Sequence, residues 1–164
     1  MQKLINLLAS GFYISYLPAL VIPFKKNTGA GFLGTLLAVP CVCMLWPEQA
    51  IWQSILLVAF CLFSVWVCAK AKLPGQYKGH DNPKIVLDEI VGYFTAMWLL
   101  PHSWPYLLAA FVLFRTLDTL KPWPVSYFDR IPNAWGVVFD DVAAGAISNI
   151  LIQIFVILTH AGLL

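Results

Sequence analysis

Long apolar runs without charge constrain this chain more than any other feature of its sequence. Residues 50–69 and residues 142–164 contain no Asp, Glu, Lys or Arg, and an α-helix needs about 20 such residues to cross the hydrocarbon core of a bilayer. Charged residues make up only 11% of the chain, against about 25% in soluble domains. This composition excludes a soluble globular protein, a disordered chain and a disulfide-rich secreted domain, and it predicts an integral membrane protein.

Six apolar stretches predict an all-α, polytopic membrane protein with a single domain over residues 1–164. The runs are continuous rather than alternating, and a helix satisfies its own backbone hydrogen bonds in lipid. We expect about five membrane-crossing helices and an N-terminal helix that lies at the interface or re-enters the membrane. The stretches are residues 4–24, 31–47, 50–69, 85–100, 105–117 and 142–164.

Basic residues occur in alternate loops, which predicts the orientation in the membrane. The loops at residues 47–49, 101–105 and 159–164 contain no Lys or Arg, and the net charge of +2 is too small to indicate a nucleic-acid partner. The positive-inside rule places the other loops in the cytoplasm. Their basic residues are Lys25, Lys26, Lys70, Lys72, Lys78, Lys84, Arg115, Lys121 and Arg130.

Seven of the eight carboxylates are expected on the same, cytoplasmic side of the membrane as the basic loops. The pairs Asp88–Glu89 and Asp140–Asp141 lie among apolar residues at predicted helix ends, and Asp118 makes a fifth acid. One explanation is helix-end charges and ion pairs. The other is a bound divalent cation, because carboxylates clustered in a low dielectric repel one another and otherwise take up protons. Oxygen ligands of this kind favour Mg²⁺ or Mn²⁺ over zinc.

Arg115, Asp118 and Lys121 follow one another at intervals of three residues. They share a face if the helix continues to Lys121, before Pro122 ends it. The spacing fits an intrahelical ion-pair ladder. It fits equally well a site in which Asp118 binds a metal and the two basic residues bind an anion, most naturally phosphate.

Glycine and threonine residues near the start of the second stretch also allow two interpretations. Backbone N–H groups at a helix start bind phosphate, and glycines in membrane helices permit close packing. These residues are Thr28, Gly29, Gly31, Gly34 and Thr35.

Four further blocks occur in order: DNPKIVLDEIVG at 81–92, FRTLDTLKPWP at 114–124, FDR at 128–130 and GVVFDDVAAG at 136–145. In these blocks the chain resembles the phosphatidylglycerophosphatase A family of bacterial lipid phosphatases. The resemblance implies a Mg²⁺-dependent, all-helical enzyme of phospholipid biosynthesis. Such an enzyme converts phosphatidylglycerophosphate to phosphatidylglycerol and inorganic phosphate in the bacterial inner (cytoplasmic) membrane.

The convergence of acids and basic residues on one side, together with the resemblance, predicts where the site lies and which residues form it. The active-site segments would be residues 25–35, 80–92 and 114–145, on the cytoplasmic face. The expected metal ligands and catalytic carboxylates are Asp88, Glu89, Asp118, Asp140 and Asp141. Lys121 would be catalytic and would contact phosphate, and the other expected phosphate-binding residues are Arg115, Gly34, Thr35 and Asp129.

One segment departs from the family pattern. The family usually has Pro-Gly-Thr-x-Gly-[Ser/Thr]-Leu, and this chain has Ala30 and Phe32 in place of the Pro and the first Thr. A phosphate contact made by that Thr would here fall to another group, such as Thr28 or Thr35. Two alternative functions are a phosphatase for another lipid phosphate and, less favoured, a divalent-cation transporter.

Overall fold

The computed structural model describes residues 1–18, 29–73, 82 and 84–162 of the chain. Within these ranges the regular secondary structure is helical, which confirms the all-α class. A short 3-10 helix, Ile14–Tyr16, follows the first α-helix. The seven α-helices of the described residues are α1 (Gln2–Ala9), α2 (Ala30–Leu45), α3 (Ala50–Lys70), α4 (Leu87–Ala96), α5 (Trp104–Leu120), α6 (Val125–Asp129) and α7 (Ala134–His160).

Helices α4 and α7 run parallel, backbone against backbone, at the centre of the fold. A Cβ atom added to Gly145 would lie 2.2 Å from the carbonyl oxygen of Gly92, so only the absence of side chains allows this approach. Further along, Asn149 bonds to Ala96, which lies 53 positions earlier, the same separation as between Gly145 and Gly92. Both helices therefore point their N-terminal ends in one direction.

Two helices, α3 and α7, are long and apolar enough to cross a membrane. Only 33% and 28% of their most apolar segments is buried, whereas the core helix of a soluble protein is mostly buried. Large apolar side chains such as Trp66 and Phe155 point outward. Two such helices are fewer than the five crossings expected, because α2 has 16 residues and α4 only 10, while α5 carries Arg115 and Asp118.

The continuous N-terminal helix expected over residues 4–24 is interrupted early in the chain. Helix α1 ends at Ala9, and Gly11, Phe12 and Tyr13 all have positive φ angles. Successive residues in this left-handed region cannot continue a right-handed helix. With 8 residues, α1 is also too short to cross a bilayer.

Side chains of α1 attach it to the end of α3. The Gln2 amide donates to the carbonyl oxygen of Lys70, and the Asn6 amide donates to that of Lys72. Several expectations concern positions outside the described residues, namely those for Lys25, Lys26, Thr28, Lys78 and Asp81.

The basic residues in the described loops lie at one end of the helix bundle. Lys70 ends α3, Lys84 precedes α4, and Lys121 and Arg130 follow α5 and α6. At the opposite end, the described connections after α2, α4 and α7 contain no Lys or Arg. Those of the orientation-predicting basic residues that the structure describes therefore lie at one end of the fold.

Two helix boundaries correct the sequence-based expectation. Helix α7 begins at Ala134, where the Asn133 side chain accepts hydrogen bonds from two backbone N–H groups, so Asp140 and Asp141 lie inside the helix and not before it. Helix α5 ends at Leu120, and Lys121 has a φ of +45°. Lys121 therefore leaves the helix and does not share a helical face with Asp118.

Candidate active site

Three carboxylates from two helices meet where α4 begins. Asp88 and Glu89 lie in the first turn of α4, and Asp141 lies in α7. One oxygen from each of the three side chains lies within 4.8 Å of the others. Asp88 and Asp141 are only 2% and 4% exposed. The structure thus brings together three of the five predicted metal ligands, from positions far apart in the sequence.

Backbone hydrogen bonds fix the first acid of each pair. The Glu89 N–H donates to Oδ1 of Asp88 at 3.1 Å, and the Asp141 N–H donates to Oδ1 of Asp140 at 3.0 Å. By contrast, Oδ1 of Asp141 is buried and accepts no hydrogen bond from the described residues. A buried, ionised carboxylate oxygen without a donor is costly, and a bound cation is one way to stabilise this atom.

The donor set fits a hard divalent cation. An octahedral Mg²⁺ with bonds of 2.0–2.1 Å places its ligand oxygens about 2.9–4.2 Å apart. Oxygens already within 4.8 Å of one another reach that spacing with small side-chain rotations. All three are carboxylates, the ligand type that Mg²⁺ and Mn²⁺ prefer over nitrogen and sulfur. The site therefore fits a divalent metal, and its chemistry excludes a thiolate or imidazole centre built from these residues.

Asp118 adds negative charge beside this group. It lies on α5 and forms an ion pair with Arg115 at 2.8 Å. Burial raises the pKa of the Asp88 carboxyl, hydrogen bonding to Glu89 lowers it, and the nearby charge of Asp118 raises it again, leaving it above its ordinary value. A bound cation would reverse this tendency to take up a proton, since it stabilises the ionised form.

Arg115 reaches the group from the side of α2. A Cβ atom on Gly31 would lie 2.2 Å from a carboxylate oxygen of Glu89 and 3.1 Å from a guanidinium nitrogen of Arg115. Gly31 therefore leaves room for both side chains, and α2 closes this side of the site.

Lys121 forms a second basic position next to the acids. Its ammonium group donates to Asp140 at 2.7 Å and also contacts Asp129. Burial lowers the pKa of Lys121, but the charges of Asp140 and Asp129 raise it by more, so it stays protonated. Asp140 therefore lies beside the candidate metal ligands, and its carboxylate is already paired with the ammonium group of Lys121.

The remaining predicted phosphate-binding residues lie on α2. Gly34 packs against Val86, and the buried Thr35 hydroxyl donates to the carbonyl oxygen of Gly31 at 3.0 Å. Phe32, which replaces the family Thr, is half exposed and packs edge-to-face on Phe111. Phosphate binding by Gly34 and Thr35 stays a prediction.

Three residues that shape the site were not singled out from the sequence. Gly92 and Gly145 form the contact between α4 and α7, and Asn149 bonds across it. The small residues Gly92 and Ala96, four apart, were a usable signal for close helix packing. Asn149 gave no local signal, because its partners are backbone atoms 51 and 53 positions away.

Comparison with known proteins identifies the family. A family model described as "Phosphatidylglycerophosphatase A" matches residues 7–156. The chain belongs to the phosphatidylglycerophosphatase A family. This confirms the resemblance and makes the chain a phosphatase, and the matched range includes Asp88, Glu89 and Asp141.

The chain is also similar to three curated proteins, two of which carry the name of this family. It is 34% identical over 147 residues to the Escherichia coli (strain K12) phosphatidylglycerophosphatase A, across 87% of this chain and 78% of that protein. It is 35% identical over 151 residues to the Haemophilus influenzae protein of the same name, across 90% and 86%. A putative phosphatidylinositol-3-phosphatase of Bacteroides thetaiotaomicron is 30% identical over 158 residues, across 85% and 94%. No solved structure matches the chain.

Proposed function

We propose that this chain hydrolyses the phosphomonoester of phosphatidylglycerophosphate, with Mg²⁺ as its metal. The products are phosphatidylglycerol and inorganic phosphate, and the reaction is the final step of phosphatidylglycerol synthesis. The observation that carries the proposal is the meeting of Asp88, Glu89 and Asp141 at one buried point in a phosphatase-family chain. The substrate follows the names of the two relatives at 34% and 35% identity.

The acids would hold the metal. Asp88, Glu89 and Asp141 would be direct ligands, with Asp118 and Asp140 completing the negative environment around them. When bound, Mg²⁺ supplies neutralisation of phosphate oxygens and acidification of a coordinated water. Because α4 and α7 touch through their backbones, the spacing of these carboxylates is set by two rigid helices, as a metal site requires.

The basic residues would hold the substrate phosphate. A guanidinium has five N–H donors and an ammonium has three, so Arg115 and Lys121 each keep donors beyond those used by their acid partners. Aimed at phosphate oxygens, they stabilise the charge that grows in the transition state. A carboxylate repels phosphate, so the part we propose for Asp129 is to hold Lys121 in place.

The apolar surface would place this site at the membrane. Outward-facing side chains of α3 and α7 would contact acyl chains, and the basic end of the bundle would lie at the cytoplasmic face of the inner membrane. A lipid substrate would then reach the acids by lateral diffusion. A cation pathway is less well supported, because six of the seven acids among the described residues belong to segments at one end of the bundle and only Glu48 to the other.

The test is phosphate release from phosphatidylglycerophosphate by the purified chain in detergent micelles. We expect activity that EDTA abolishes and added Mg²⁺ restores. Asp141→Asn is expected to lower kcat by about 100-fold or more, whereas Glu48→Gln, at the opposite end of the bundle, leaves it unchanged. Activity that survives complete chelation, or an Asp141→Asn enzyme as fast as Glu48→Gln, contradicts the metal assignment.

A second substrate has the support of one relative. The Bacteroides thetaiotaomicron protein carries the name of a putative phosphatidylinositol-3-phosphatase, so phosphatidylinositol 3-phosphate belongs in the same assay. We expect a higher kcat/KM for phosphatidylglycerophosphate. A higher kcat/KM for phosphatidylinositol 3-phosphate would make that lipid the proposed substrate, and the proposed metal site would be unaffected.

A further inference from the structure

Asn149 makes a set of hydrogen bonds that uses its whole side chain. Its amide nitrogen donates to the carbonyl oxygens of Ala96 and Trp98, at 3.0 and 2.6 Å. Its Oδ1 accepts from the amide of Gln153 at 2.7 Å. Since both partners of the nitrogen are acceptors, the orientation of the amide is fixed. The side chain is 4% exposed, so water does not provide a ready substitute.

These bonds hold the C-terminal end of α4. The last carbonyls of a helix lack partners within the helix, and α4 ends after only 10 residues among apolar side chains. Asn149 supplies two donors to backbone carbonyls at this end. Losing them would leave the buried carbonyl oxygen of Ala96 and the partly buried one of Trp98 without this donor, which favours a shift of α4 towards new partners.

The same two helices carry the acids at the level of the N-terminal end of α4. Asp88 faces Asp141 and Ala96 faces Asn149, each pair 53 positions apart. Between them lies the contact of Gly92 with Gly145, which has no side chains to interlock. Without interlocking side chains, this contact does little to prevent an axial shift of one helix along the other. A single buried polar residue can fix the register of two helices.

We propose that Asn149 is a positioning residue that sets the axial position of α4 against α7, and thereby the spacing of Asp88 and Glu89 from Asp141. Asn149 lies two helical turns from Asp141 along α7, so it acts through the register of the helices. The inference rests on the proposed function, because the acids matter only if they share a cation.

The test compares Asn149→Leu with Gln153→Leu in the full-length chain. The first removes both donors to α4 and keeps the branched shape and the number of side-chain heavy atoms. The second removes only the bond to Oδ1 of Asn149 and leaves α4 attached. Mn²⁺ binding is measured by electron paramagnetic resonance titration of monodisperse protein in detergent, and kcat and KM are measured with phosphatidylglycerophosphate.

We expect Asn149→Leu to weaken Mn²⁺ binding about tenfold or more and to lower kcat similarly, with little change in KM. Gln153→Leu is expected to stay within about twofold of the wild type in both measurements. Wild-type Mn²⁺ affinity in Asn149→Leu overturns the proposal, and so do equal losses in both variants, because these would indicate general destabilisation.

A further variant covers the case in which Asn149→Leu fails to fold. Asn149→Ser retains one hydroxyl donor and is expected to bind Mn²⁺ with intermediate affinity, whereas wild-type affinity in this variant overturns the proposal. Failure of the proposed function looks different, since the wild-type chain itself would then neither bind Mn²⁺ nor release phosphate. A wild type that does both, with unaffected Asn149 variants, overturns the positioning role alone.

Discussion

The contact between Gly92 and Gly145 predicts that a single added methyl group will disrupt the site. In Gly145→Ala, the new Cβ atom would lie 2.2 Å from the carbonyl oxygen of Gly92 and 3.0 Å from Cβ of Thr95. Carbon and oxygen atoms in close helix contacts lie about 3.3 Å or more apart. The obstruction is backbone and cannot rotate away, so α4 and α7 must separate by about 1 Å at this level.

That separation acts directly on the acids. Asp141 lies one turn before Gly145, and the oxygens of Asp88, Glu89 and Asp141, which lie within 4.8 Å of one another, have little room to move apart and still share one Mg²⁺ ion. A misplacement of about 1 Å at a reacting centre costs about 100-fold in rate. We therefore expect Gly145→Ala to lower kcat by about 100-fold and to weaken activation by Mg²⁺.

The assay is phosphate release as a function of Mg²⁺ concentration, with thermal unfolding in detergent as the measure of folding. Overpacking costs about 1–3 kcal/mol of stability, so the variant is expected to remain folded at 25 °C. Val58→Ile is the matched control, since it adds one carbon to a side chain that is 60% exposed on α3. A folded Gly145→Ala enzyme with the Mg²⁺ response of Val58→Ile would refute the close-contact argument.

Three further predictions concern the charged residues around the acids. Asp118→Asn is expected to lower kcat and to raise the Mg²⁺ concentration needed for half-maximal activity, because a negative charge beside Asp88 is lost; an unchanged Mg²⁺ response would remove Asp118 from the site. Lys121→Met leaves the buried Asp140 without its cation and is expected to lower both activity and melting temperature. Asp129→Asn, at a side chain 43% exposed, should cost at most about 1 kcal/mol of stability, and a larger cost than that of Lys121→Met would contradict this ordering.

The sequence predicted the grouping of the acids because a charged side chain within an apolar helix is unstable against lipid and usually faces a shared polar site. Asp88, Glu89 and Asp141 are flanked by residues that avoid water, and they come together at a buried point on two packed helices. The helical class followed for the same reason, since long apolar runs have few other ways to satisfy their backbone.

The boundaries of the elements were harder to predict, because an uncharged run is not the same as a helix. Helix α7 begins eight residues before the apolar run at residue 142, at the cap formed by Asn133, and it carries Asp140 and Asp141 within it. The sequence did hold a signal for the departure of Lys121 from α5, since a residue that precedes a proline disfavours the α conformation.

The contacts that set the spacing of the site lie beyond local sequence signals. The approach of Gly145 to Gly92 and the bonds of Asn149 join positions more than 50 residues apart. No spacing within either helix specifies the partner, because the partners are backbone atoms that every residue has.

Anomalous X-ray diffraction from crystals of the full chain grown with Mn²⁺ tests the central claim most directly. The account predicts a strong anomalous peak in bonding contact with carboxylate oxygens of Asp88, Glu89 and Asp141. Well-ordered density at these three side chains without such a peak, each oxygen bonded instead to Arg, Lys or backbone donors, would contradict it.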